Sequence, residues 1–151
     1  MIFVILTLLE ALVIFRCQKL IRFSHCDPAG IVFYPRYIEL GVEAVEDWFS
    51  QGLGVSFWAL HEEHRLGIPA VHLDVNFITP SRHGDRLDFL LSVAHIGTSS
   101  MTLDVIVECE GQRRFQEKIT VVMVSLDTMR PVPITEPWRL KFEEFLKTEG
   151  N

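Results

Sequence analysis

Apolar and polar side chains alternate along most of the second half of the chain. AVHLDVNF puts Val71, Leu73, Val75 and Phe77 on one side and His72, Asp74 and Asn76 on the other. That period of two predicts a strand, ended by Pro80. RLDFLLSVAHI, SMTLDVIVECE and RRFQEKITVVMVSL read as three longer strands, joined by the short connections GTSS and EGQ. Upstream, CQKLIRF from Cys17 to Phe23 alternates loosely and predicts a first strand. Between this strand and the others the period changes. In YIELGVEAVEDWFSQGLG, Ile38, Val42, Val45 and Phe49 recur at helical spacing with Gly41 and Ala44 beside them, and Glu39, Glu43 and Glu46 fall on the far side. Pro35 suits a first helical turn, and Gly52 and Gly54 suit its end. The result is an amphipathic helix of about four to five turns. FWALHEEHRLGI holds a short helix before a loop, and EPWRLKFEEFLK a short closing helix. The order is strand, long helix, four strands. It predicts an α+β domain over residues 16–147, with a five-stranded antiparallel sheet wrapped around one helix.

Composition narrows the possible partners. Fourteen basic residues against twenty acidic ones give a net charge of -6 over 151 residues, which disfavours nucleic acid, whose phosphates need a basic surface. Cys17, Cys26 and Cys109 form no paired motif, so a reducing, cytoplasmic setting is expected. Residues 1–15 are all apolar except Thr7 and Glu10. The run is short for a membrane span and lacks the basic start and small-residue cleavage site of a signal peptide. It reads as an extension that packs on the domain or as an upstream translation artefact, ahead of the alternative of a membrane or export role.

The informative stretch is RFSHCDPAGIVFYPRY. It places a carboxylate, Asp27, in a turn between the first strand and the start of the long helix. Amides at a helix start lack partners within the helix and carry partial positive charge, so they can hold an oxyanion. Pro35 has no N–H, which leaves Phe33 and Tyr34 as donors. So sparse a site suits a thioester. A thiol leaves with a pKa of roughly 8.5 and needs little acid assistance, while an ionised Asp can attack the carbonyl or activate water. On the residues alone, a structural Asx-Pro turn leading into a helix is the commoner arrangement.

The segment from Asp27 to Tyr37, DPAGIVFYPRY, closely resembles the signature of the 4-hydroxybenzoyl-CoA thioesterase family. The similarity of layout runs from about Cys17 to Leu146, through a Gly84-Asp85 turn and a Pro131-Val132-Pro133-Ile134 tail. The resemblance implies a hotdog fold, acyl-CoA as substrate, no cofactor, and active sites between the subunits of a homodimer. It makes Asp27 the nucleophile or general base. The Tyr34 N–H polarises the thioester carbonyl. From their places beside Asp27, Gly30 is expected in the substrate site and Pro28 and His25 next to the carboxylate, the alternative for His25 being a surface turn histidine. Two positions depart from the family pattern. Members that take the 4-hydroxybenzoyl group carry an acidic helix residue where this chain has Val42, which offers the ring hydroxyl no partner. The expected acyl group therefore lacks a para-hydroxyl. The loop that meets CoA phosphates is basic there but reads Ile96-Gly97-Thr98-Ser99-Ser100 here. Ser99 and Ser100 are then the expected contacts, with Arg130 or Arg82 contributing charge.

Other candidates give weaker readings. His25 and Cys26 are adjacent, so in extended chain they point apart and do not form a nucleophilic pair. His61 and His64 are three apart, not the four of HExxH, and no metal is expected. His72, Asp74 and Asn76 border either an acyl pocket or a subunit contact. Trp48, Phe49, Phe57 and Trp58 read as core or interface. Apolar residues on both strand faces, at Phe89, Leu90 and Leu91 and from Val121 to Val124, predict a covering partner: a homodimer, pairing into a tetramer. The competing functions are a hotdog hydratase or dehydratase, whose Asp–His or His–Glu pair is not found, and a non-catalytic acyl-CoA-binding module.

Overall fold

In the computed structural model, residues 13–148 are described; most of the N-terminal apolar run lies outside them. Five strands, β1 (Phe15–Leu20), β3 (Ala70–Phe77), β4 (Arg86–Ile96), β5 (Ser100–Cys109) and β6 (Gln112–Val122), form one antiparallel sheet in the order β1-β4-β5-β6-β3. Two-residue strands β2 (Leu66–Gly67) and β7 (Val124–Ser125) make a small separate ladder. Helix α1 (Tyr34–Asp47) runs into a π-helical turn at Trp48–Leu53 and packs on one sheet face; α2 (Trp138–Glu143) closes the chain. This is the expected α+β hotdog architecture.

The inner face of the sheet is apolar because every second residue points there. Leu87, Phe89, Leu91 and Val93 of β4 and Met101, Leu103, Val105 and Val107 of β5 are buried. The outer face carries Ser92, Asp104, Gln116 and a Thr102–Thr120 hydrogen bond of 3.0 Å, with Lys147 paired to Asp104.

Three expectations need correction. Strand β1 begins at Phe15 rather than Cys17, and Phe15 joins the core. The buried face of α1 is Tyr37, Leu40, Gly41, Ala44 and Val45, continuing to Trp48 and Phe49, whereas Ile38 is half-buried and Val42 is 54% exposed. Aromatic area decides that rotation. The Tyr37 ring stacks on Phe115 at 5.0 Å, and Trp48 packs against Phe142 and Phe145. Thirdly, β3 does not bury its Val71–Phe77 face. It is an edge strand on which Val71 is 61% exposed and Leu73 and Phe77 are also open; only Val75 is half-buried.

Candidate active site

His25 to Phe33 fold back on themselves ahead of α1. The Phe33 N–H donates to His25 O (2.9 Å), Cys26 bridges Val32, and the Asp27 N–H donates to Ile31 O (3.1 Å). The tip closes with the Gly30 N–H on Asp27 O at 2.9 Å. Gly30 has φ +79, a left-handed conformation that strains a residue with a Cβ. Pro28 sits exposed beside Asp27, where its fixed φ suits a turn. The hairpin is anchored by the Val32 N–H on Ser81 O (2.9 Å) and by a bridge from Ile31 to Arg82.

Asp27 is half-buried, and its Oδ1 accepts the Ala29 N–H at 2.8 Å. Among the described residues Oδ2 has no partner. The carboxylate opens on a cavity of about 540 Å³ lined by Phe23, Cys26, Pro28, Gly30 and His83. One oxygen is thus held and the other is available.

Helix α1 starts at Tyr34 with Phe33 as its N-cap residue and no side-chain cap. Because the Phe33 N–H is taken by His25 O, only one of the two expected donors remains. The Tyr34 N–H has no partner among the described residues. The Tyr34 side chain borders a second cavity, of about 330 Å³, with Val32, Tyr37, Phe77 and Arg114. Asp27 and Tyr34 therefore stand at the tip and base of one hairpin but border different cavities within one chain.

The other expected residues are spread over the fold. Val42 lines a third, apolar cavity of about 400 Å³ with Val45, Phe57, His61, Ile119 and Val121. Ser99 and Ser100 lie at the far end of β4 from the Asp27 hairpin, about 30 Å away along eleven residues of strand. Their loop is tied by the Gly97 N–H on Ser100 O (2.7 Å) and the Met123 N–H on Ser99 O (2.8 Å). A basic residue does reach this loop, and it is neither Arg82 nor Arg130. Arg139 donates to Gly97 O (2.6 Å) and Ile134 O (2.8 Å), so its guanidinium is engaged in bracing. Arg82 instead adjoins the Asp27 hairpin, and Arg130 sits beside β7, its carbonyl accepting the Ser125 N–H.

His25 and Cys26 do not meet. His25 Nδ1 accepts the Arg22 N–H (2.9 Å), and the Cys26 thiol reaches Arg22 O at 3.7 Å. His25 braces the turn that leads into Asp27. His61 and His64 pack edge-on against Phe57 and Trp138.

One acidic residue went unnoticed in the sequence. Glu117 on β6 is 1% exposed, and neither carboxyl oxygen has a partner among the described residues. Burial pushes its pKa up to about 8. The signal was its register: Phe115, Glu117, Ile119 and Val121 share the inward face of one strand.

The family model described as the thioesterase-like superfamily matches residues 21–142. The chain belongs to this superfamily. It is a thioesterase in the broad sense. A 1,4-dihydroxy-2-naphthoyl-CoA hydrolase of Thermosynechococcus vestitus is 29% identical over 121 residues, covering 80% of this thioesterase and 82% of the relative. A superfamily structure from Jannaschia matches with a TM-score of 0.84 at 23% identity, over 89% of this chain and 94% of that one. A 1,4-dihydroxy-2-naphthoyl-CoA thioesterase from Synechocystis matches with a TM-score of 0.78 at 21% identity, over 86% and 96%. At those identities the two structures speak for the hotdog fold. No described helix is long and apolar enough to cross a membrane.

Proposed function

We propose that this thioesterase hydrolyses an acyl-CoA to the free acid and CoA in the manner of the 4-hydroxybenzoyl-CoA thioesterases. The observation that carries the reading is the Asp27 carboxylate. One oxygen is fixed by the Ala29 N–H and the other is open, on a hairpin that ends at the unpartnered Tyr34 N–H. The amide polarises the thioester carbonyl and takes up the charge that develops on its oxygen. Asp27 Oδ2 either takes a proton from a water that attacks the carbonyl carbon, or attacks that carbon itself. Direct attack gives a mixed anhydride that water then cleaves to the acid and free Asp27. In both cases the C–S bond breaks and CoA leaves as the thiolate. Relatives named for an aryl-CoA substrate support an acyl-CoA.

The working unit we propose is a homodimer, itself pairing into a tetramer. Strand β3 leaves one edge of its sheet open beside exposed Val71, Leu73 and Phe77, and Phe33, Tyr34 and Val42 are exposed too. An apolar edge of this kind invites a second copy. A second copy also offers a site residues that one chain keeps apart. Ser99 and Ser100 could not serve the Asp27 of their own subunit, so we assign them to the CoA phosphates at the partner's.

The test is thiol release from a panel of acyl-CoAs, with the mass of the active species read by light scattering. CoA release by a dimer or tetramer is expected. No release from any acyl-CoA that binds would leave a non-catalytic binding module or a hydratase, and an active monomer would remove the two-subunit site.

A further inference from the structure

Glu117 has no part in the reaction outlined above, and its position costs stability. An enclosed carboxyl without hydrogen-bond partners keeps its full desolvation penalty. Desolvation alone accounts for the raised pKa, with no basic group acting on it, so the carboxyl is protonated at neutral pH. Unpaired groups of this kind concentrate where a protein binds something.

Its surroundings suggest what that is. Along the inward face of β6, Phe115 precedes Glu117 and Ile119 follows it. Phe115 carries Tyr37 and Phe77, two walls of the 330 Å³ cavity at the start of α1. Ile119 and Val121 line the 400 Å³ apolar cavity with Val42 and Val45. On the inward face of β6 the carboxyl therefore falls between residues that wall the one cavity and residues that line the other, and it lines neither itself. Gly41 is what admits it, since a Cβ there would overlap Glu117 Oε1. Gly41 lies seven residues along the helix from Tyr34, about 10 Å. This position also completes the picture at Val42: the helix offers no polar group there, but the sheet supplies one beside the preceding residue.

We propose that Glu117 is a specificity-determining residue, whose carboxyl hydrogen-bonds an uncharged polar substituent, a hydroxyl above all, on an acyl group running from the Tyr34 end of α1 toward Val42. The assignment rests on the reading that the start of α1 holds the thioester. A protonated carboxyl both donates and accepts, which matches a hydroxyl. An acyl group ending in a carboxylate would set a second acid against an enclosed one that no charge stabilises, and should bind more weakly than the hydroxylated one.

Straight-chain acyl-CoAs from butanoyl to decanoyl, each with and without a terminal hydroxyl, move that hydroxyl stepwise along the two cavities. Kd and kcat/KM are measured for wild type, Glu117→Gln and Glu117→Leu, each shown to be folded by its thermal melt. At one chain length wild type is expected to favour the hydroxylated member by about tenfold in both quantities. Glu117→Gln keeps most of that preference, because its amide still hydrogen-bonds, and Glu117→Leu loses it. A wild type with no such preference at any length, or a Leu variant that retains it, overturns the assignment. The two readings separate cleanly. Absence of thiol release with the expected Kd ratios sinks hydrolysis and leaves Glu117 in place, whereas brisk hydrolysis with unchanged ratios does the reverse.

Discussion

Asp27 and Glu117 are both carboxylates near α1, and they are held in opposite ways. Asp27 sits at the tip of a hairpin, half-buried, with one oxygen on a backbone N–H and the other open to a cavity. Glu117 sits in the core, enclosed, with neither oxygen satisfied. A carboxylate that is to react must be charged and reachable, so it belongs on a turn. A carboxyl that is to recognise a neutral group must itself be neutral, and burial achieves that. On the roles proposed above, the chain uses one functional group for two purposes and sets the difference by environment.

The largest effect that could break this contrast is on stability. The folded-state pKa of Glu117, about 8, lies above its ordinary 4.5, so between those values the folded chain holds a proton that the unfolded chain has released. Stability from this group is full below about pH 4.5, falls as pH rises through the window, and is lost above about pH 8, at roughly 1.4 kcal/mol per unit. Between about pH 5 and about pH 9, the unfolding free energy from denaturant titrations at equal protein concentration should therefore fall for wild type by several kcal/mol more than for Glu117→Gln. Equal changes in the two proteins would mean that the carboxyl is solvated or paired.

A smaller effect sharpens the geometry. Gly41→Ala adds a methyl that overlaps the Glu117 carboxyl. Overpacking of about 1–3 kcal/mol then outweighs the gain of about 1 kcal/mol from replacing a helical glycine. In a Glu117→Ala background the clash is gone and the same substitution should stabilise. Urea titration of the four proteins measures the coupling. If Gly41→Ala has the same sign in both backgrounds, Gly41 is not what makes room for Glu117.

The two sites also differed in how legible they were. The DPAGIVFYP segment could be read because its chemistry is local: a carboxylate, a turn proline, a left-handed glycine and a helix start fall within nine residues. The sheet was legible for the same reason, since alternation is a neighbour-to-neighbour pattern. What sequence could not supply was the rotation of α1. The spacing favoured Ile38 and Val42 as the buried face, but the Tyr37–Phe115 stack joins residues far apart in the chain and turned the helix away from them. Glu117 was hidden by the same non-locality. Its inward register was visible, but what it faces depends on where Gly41 lands. The β3 face misled because alternation shows that a strand has an apolar side, not whether this chain or a second copy covers it.

The central claim is that Asp27, beside the start of α1, carries thioester hydrolysis. Asp27→Asn keeps the shape of the hairpin and the acceptor for the Ala29 N–H but is a poor nucleophile and base. Its rate of thiol release, measured on the acyl-CoA that wild type hydrolyses fastest, tests the claim directly. A folded variant slower by about 100-fold or more is expected, and a folded variant that releases thiol at a rate near that of wild type would contradict the account.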